Sequence, residues 1–141
     1  MKILVDTNVI LEFVLQREHF SEAKNAISMS VASGDELMMS VGGFYTMIFV
    51  IEKYFRKEML KDRQEARQLT RNIMRKALKV FNVAEHDAES LLNGIDDTAF
   101  IDIEDSCQYQ LAKKYGCERL LTFNTSDYPT TVCTDVKVIA L

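Results

Sequence analysis

The chain opens with MKILVDTNVI, residues 1–10, and the reading of this stretch decides the fold. Lys2 to Val5 read as a short buried strand running up to Asp6, and Asn8 can begin a helix through about Leu15. A carboxylate at the end of an apolar strand costs free energy to bury unless something pairs with it. Asp6 therefore asks what lies opposite it, and the rest of the chain is read for that partner.

Short apolar runs alternate with helical patterns along the whole sequence. Phe20 to Ala32 carries Phe20, Ala23, Ile27 and Val31 on one stripe, with Gly34 as a stop. ELMMSV (36–41) reads as a strand, broken by Gly42–Gly43, and a helix follows from about Phe44 to Arg56. Residues 62–78 form an amphipathic helix on Ala66, Leu69, Ile73 and Ala77. KVFNVA (79–84) reads as a strand, and the next ten residues as a short helix ended by Gly94. Asp105 to Tyr115 is a helix stopped by Gly116, and RLLTFN (119–124) and VKVIAL (136–141) are the last strands. This rhythm predicts one α/β domain over residues 1–141: a three-layer α/β/α sandwich around a mostly parallel sheet of about five strands.

The composition bounds the function. At 141 residues, 48% hydrophobic and 27% charged, the chain can bury a core of ordinary size. No stretch approaches the ~18–20 apolar residues of a membrane span, and Asp6 interrupts the N-terminal apolar run too early for a signal peptide. Cys107, Cys117 and Cys133 are odd in number and lack CxxC spacing, which argues against disulfides or a zinc site and for the reducing cytoplasm. Two histidines leave few candidates for a His-based metal site or a Ser/His triad. The net charge of −4 conceals an asymmetry: residues 53–79 hold ten Lys or Arg against three Asp or Glu. Within them Arg63, Arg67, Arg71 and Arg75 recur every four residues and align on one helix face. That face is suited to RNA phosphates, to an acidic partner, or simply to solvent.

In open parallel sheets, functional groups gather outside the carboxyl ends of the strands. Asp6 ends the first strand; Asn124, with Asp127 three residues on, follows the strand at 119–124; Asp102, Glu104 and Asp105 open a late helix. Convergent carboxylates favour hard divalent cations, Mg²⁺ or Mn²⁺, and such ions assist phosphodiester hydrolysis. Other accounts remain open. Asp102 can be an N-cap with Asp105 facing the helix dipole, and NTSD can be a plain turn. Glu12 fits a rim residue better than a ligand.

Three stretches taken together, ILVDTNVILEFVLQRE at the start, FIDIEDSCQYQLAKKYGCERLLTFNTSDY near the end and the α/β rhythm between, resemble the PIN-domain family, which includes the VapC-type ribonuclease toxins. The resemblance implies a metal-dependent endoribonuclease. Asp6, Asp105 and Asp127 would be its acids, with Asp102 in support and Asn124 arranging the site. Thr7 and Asn8 would position the Asp6 loop and, with Thr46, meet the substrate. Arg63, Arg67 and Arg71 would meet RNA phosphates. It also implies an antitoxin partner, for which grooves around Phe13, Phe20, Phe44 and Phe49 are candidates, and a homodimer. The chain departs from the family at Thr46, six residues beyond Ser40, where many members carry glutamate. Glu52, a further six residues on, is turned by about 600° and lies on another face. The resemblance then implies a site one acid short, with weaker cation binding, or a non-catalytic module that binds RNA or protein.

Overall fold

Ile3, Leu4 and Val5 are buried on both faces of a central strand, as a near-continuous apolar run in a parallel sheet requires. The computed structural model describes residues 1–141. In chain order the elements are β1 (Lys2–Val5), α1 (Thr7–Val14), α2 (Phe20–Ala32), β2 (Glu36–Ser40), α3 (Val41–Lys57), α4 (Arg63–Val80), β3 (Asn82–Ala84), α5 (Ala88–Asp96), α6 (Ile103–Lys114), β4 (Arg119–Thr122) and β5 (Lys137–Ala140). A 3-10 turn at Thr125–Asp127 separates the last two.

The five strands lie in the order β3-β2-β1-β4-β5, and every pairing is parallel. Alternate residues of each strand face opposite sides. Ile3, Val5, Leu37, Met39 and Leu121 join a core with α1, α2, α3 and α4. Leu4, Met38, Ala84 and Leu120 join a second core with Tyr109, Leu111 and Ala112 of α6. The expected three-layer parallel α/β architecture is thus the observed one. No helix is long and apolar enough to cross a membrane.

Several boundaries differ from the sequence expectation. Gly42 and Gly43 do not interrupt the chain but sit in the first turn of α3, whose N-cap Ser40 accepts a hydrogen bond from the Gly43 amide at 2.9 Å. Gly94 does not end α5, which runs on to Asp96. It is buried where α5 crosses α6, against Cys107. The helix at 62–78 continues to Val80, which shortens the expected strand at 79–84 to Asn82–Ala84. By contrast Gly116 does stop α6, and its φ of +67° is one that a side chain would strain.

Candidate active site

The strand order reverses between β1 and β4, so the crevice outside their carboxyl ends is where this topology places a site. Asp6 stands there as the residue after β1 and the N-cap of α1. Its Oδ1 accepts the Asn8 amide at a long 3.4 Å, and its Oδ2 accepts the Thr122 hydroxyl at 2.8 Å. The carboxylate is only 7% exposed, so these two donors and the α1 dipole are what hold it in place of water.

The other acids arrive at the same edge. Asp102 is the N-cap of α6 and accepts the Asp105 amide at 3.1 Å, so the capping account of this pair holds. Asp105, in the first turn, accepts the Tyr128 hydroxyl at 3.3 Å. Burial, then the charges of Asp102, Asp6 and Asp127, push the Asp105 carboxyl up to about 7. Asp127 lies in the 3-10 turn after β4, with its amide on the Asn124 carbonyl at 3.2 Å. The exposed Asn124 amide is anchored to the Thr122 hydroxyl at 3.0 Å. Acids from three separate segments therefore act on Asp105 across the crevice.

The neutral groups are distributed differently. The Asn8 backbone, not its exposed side chain, touches Asp6. Thr7 faces Gly43, where a Cβ would collide with its hydroxyl, so it fixes how closely α1 meets α3. Thr46 is exposed on α3 and takes no part in the hydrogen bonds that link the acids. Glu12 accepts the His19 amide at 3.0 Å, a loop-holding role at the rim. Arg67, Arg71 and Arg75 line a separate groove of about 470 Å³ between α3 and α4, with Phe44, Ile48, Met74 and Leu78. Asp6, Asp102, Asp105 and Asp127 do not border it; Glu52 does and pairs with Arg67 at 3.5 Å, and Arg63 is exposed at the start of α4.

The roles of three residues escape a reading of the sequence, although each stands in a stretch that carries the resemblance: Thr122, Gln108 and Tyr128. Thr122 is the first residue of the TxN piece of the family resemblance, but nothing in the sequence shows that its hydroxyl serves Asp6. Its hydroxyl donates to Asp6 in a buried bond and accepts the Asn124 backbone amide in a partly buried one. Thr122→Val keeps the shape and removes both bonds. Since a hydrogen bond to a charged group contributes ~1.5–3 kcal/mol, the variant is expected to lose roughly 2 kcal/mol, or about 6–10 °C in Tm. Thr122→Ser, which keeps the hydroxyl, should melt near the wild type; equal Tm for wild type and Thr122→Val would refute this role.

The donor set fits a hard divalent cation. It consists of oxygen atoms only, and Asp105, raised first by burial and then by three neighbouring carboxylates, has no counter-charge beside it. As placed, no three acids stand at the spacing of a complete ligand cage. Asp102 Oδ1 is engaged by its cap, and both Asp6 oxygens accept donors. A Mg²⁺-like ion suits such an open site, because it commonly takes one or two carboxylates and completes its shell with water and phosphate.

An all-parallel sheet with acids gathered where its strand order reverses defines a class of α/β domain that works at its carboxyl edge. Within that class the chain belongs to the PIN-domain family, whose model, described as PIN domain, matches residues 3–127. It is 33% identical over 129 residues to Ribonuclease VapC1 of Aquifex aeolicus (strain VF5), covering 90% of this chain and 84% of the relative. Two solved structures are similar in fold. One is VapBC2 from Rickettsia felis bound to a DNA fragment from their promoter, with TM-score 0.71, 11% identity and 100% and 99% of the two chains covered. The other is a toxin–antitoxin complex from Klebsiella pneumoniae, with TM-score 0.69, 21% identity and 98% and 96% covered.

Proposed function

We propose that this chain is a Mg²⁺- or Mn²⁺-dependent endoribonuclease and the toxin of a toxin–antitoxin pair. The observation that carries the reading is Asp105, half-buried among Asp6, Asp102 and Asp127 at the switch point of the sheet, a cluster that calls for a cation. The ribonuclease name of the Aquifex relative and the toxin–antitoxin setting of the Klebsiella structure support it. Asp6 and Asp105 would hold the cation, with Asp127 and Asp102 flanking it. The bound ion would ease ionisation of the attacking water and offset charge on the phosphoryl group. The protein's own part is to orient: Thr122 fixes the Asp6 carboxylate, and Asn124 stands exposed to meet the substrate. Arg63, Arg67 and Arg71 offer the RNA backbone a basic face outside the acidic crevice.

An antitoxin has apolar surface to use. Phe13 and Phe20 stack at 6.0 Å and line a groove of about 450 Å³ with Val14, Ile73 and Val80. Phe44 lines the arginine groove, and Phe49 is 69% exposed. The homodimer expected of the family is read from the mass of the purified protein in solution.

A second reading, a non-catalytic module that binds RNA or protein, draws on Thr46 in place of an acid and on the incomplete ligand spacing. One experiment separates the two. Full-length protein is incubated with single-stranded RNA and millimolar Mn²⁺, beside Asp6→Asn, while Tm is followed against Mn²⁺ concentration. The nuclease reading expects cleavage that EDTA and Asp6→Asn both abolish, and a rise in Tm with Mn²⁺. RNA binding without cleavage, no Tm change, or equal cleavage by the variant would sink it.

A further inference from the structure

Tyr128 carries a polar atom into an apolar place. Its ring is 3% exposed and stands edge-on to Phe100 at 6.0 Å in the second core. The phenol oxygen accepts a hydrogen bond from Gln108 Nε2 at 2.7 Å and donates to Asp105 Oδ1 at 3.3 Å. Gln108 is itself 9% exposed and one helical turn beyond Asp105, so both partners of the phenol come from the same face of α6. A hydroxyl has one proton to give. With the Gln108 amide donating, that proton is committed to the carboxylate, and the Asp105 side chain is fixed at Oδ1 while Oδ2 is left free.

We infer that Gln108 and Tyr128 are positioning residues, a buried relay that sets the orientation of the Asp105 carboxylate toward the cation. The inference rests on the nuclease reading above and adds to it the groups that hold the second acid. Thr122 serves Asp6 from β4, and Tyr128, held by Gln108 of α6, serves Asp105 from the segment that follows β4. Each acid thus has its own support, and both supports run through the β4 end. Carboxylates that bind metals are themselves held by outer hydrogen bonds, and loss of such a bond typically weakens metal binding ~10–100-fold. The 3.3 Å separation is long for O–H···O, so the phenol steers the carboxylate rather than saturating it.

The test uses full-length Tyr128→Phe, which deletes one oxygen and keeps the ring against Phe100. Mn²⁺ affinity is read from the concentration dependence of Tm and from calorimetric titration without RNA; cleavage kinetics are read separately. The expected result is a roughly tenfold rise in the Mn²⁺ midpoint and a similar fall in kcat at fixed Mn²⁺, with KM for RNA unchanged. Gln108→Leu should produce a smaller change of the same kind. The Tyr128→Phe/Gln108→Leu double variant removes both partners of the inner bond, so it guards against a folding defect from an orphaned amide. It should match Tyr128→Phe rather than multiply the two losses, because the residues act in series. If the wild type binds Mn²⁺ and cleaves RNA while Tyr128→Phe has the same Mn²⁺ midpoint and kcat, the relay is refuted and the nuclease reading stands. If the wild type shows neither a Mn²⁺-dependent Tm nor cleavage, the nuclease reading falls and takes the relay with it.

Discussion

Asp105→Asn is expected to lose at least about 10²-fold in kcat/KM for RNA, beyond the range typical of residues that only support a metal ligand. It should also change how the cation-free protein responds to pH. In the folded protein the carboxyl is held up to about 7, chiefly by burial and then by Asp102, Asp6 and Asp127, against an ordinary 3.8. Between these values the folded state keeps a proton that the unfolded chain releases. Stability therefore falls as pH rises from about 4 to about 7, and levels off above it. A fully buried group displaced this far would be worth about 4 kcal/mol, but Asp105 is partly open to solvent, which reduces this to roughly 1–2 kcal/mol. Asparagine does not titrate, so the variant should lack this component and be the more stable form at pH 8 in EDTA. Urea denaturation of both proteins at pH 5 and pH 8 measures the difference. Parallel pH dependence would mean that Asp105 is not where the acids meet.

The same comparison shows why some of the site could be read from the chain and some could not. Asp6 is conspicuous because a charge that closes the apolar run KILV breaks a pattern. Asp105 breaks no such pattern, because acids suit a helix start, and it is legible only through the family resemblance and through its place at the carboxyl edge of the sheet. Asp6 violates a local rule, and the violation is the signal. Thr122, Gln108 and Tyr128 violate nothing: each is an ordinary choice in its own segment. Their roles exist only because β1 lies beside β4 and because α6 lies under the segment that follows it. The arginine stripe shows the opposite case. Its spacing of four is real and its face is exposed, yet α4 packs on α3, and the groove it lines is not the acidic crevice. Periodicity places a residue on a helix face; tertiary packing decides what that face meets.

Gly94→Ala is expected to damage both the fold and the site. The sequence presents Gly94 as a helix stop, since glycine is common just past a helix end. In the folded chain it lies inside the last turn of α5 and is buried, in close contact with α6. A Cβ there would lie 2.6 Å from Cys107 Sγ, 2.8 Å from its Cα and 2.9 Å from its amide nitrogen. A sulfur can rotate away, but the backbone of α6 cannot move without carrying the helix. Beside this contact Ser106 donates its hydroxyl to the Gly94 carbonyl at 2.7 Å, so the pair is locked as well as close. Alanine raises helix propensity by ~1 kcal/mol, which works for the variant. Overpacking costs ~1–3 kcal/mol, and a clash with backbone stands at the upper end, about 3 kcal/mol, which works against it and prevails. The net loss is expected near 2 kcal/mol, or about 6–10 °C in Tm. Displacement of α6 also moves Asp105, two residues from Cys107, away from Asp6, and a shift of about 1 Å at a catalytic group can cost ~10²-fold in rate. Cleavage should therefore drop more at 25 °C than the folded fraction does. Leu92→Ala, an exposed change on the same helix, is the control and should leave both nearly unaltered. Wild-type Tm and rate in Gly94→Ala would show that the two helices have room that this packing denies them.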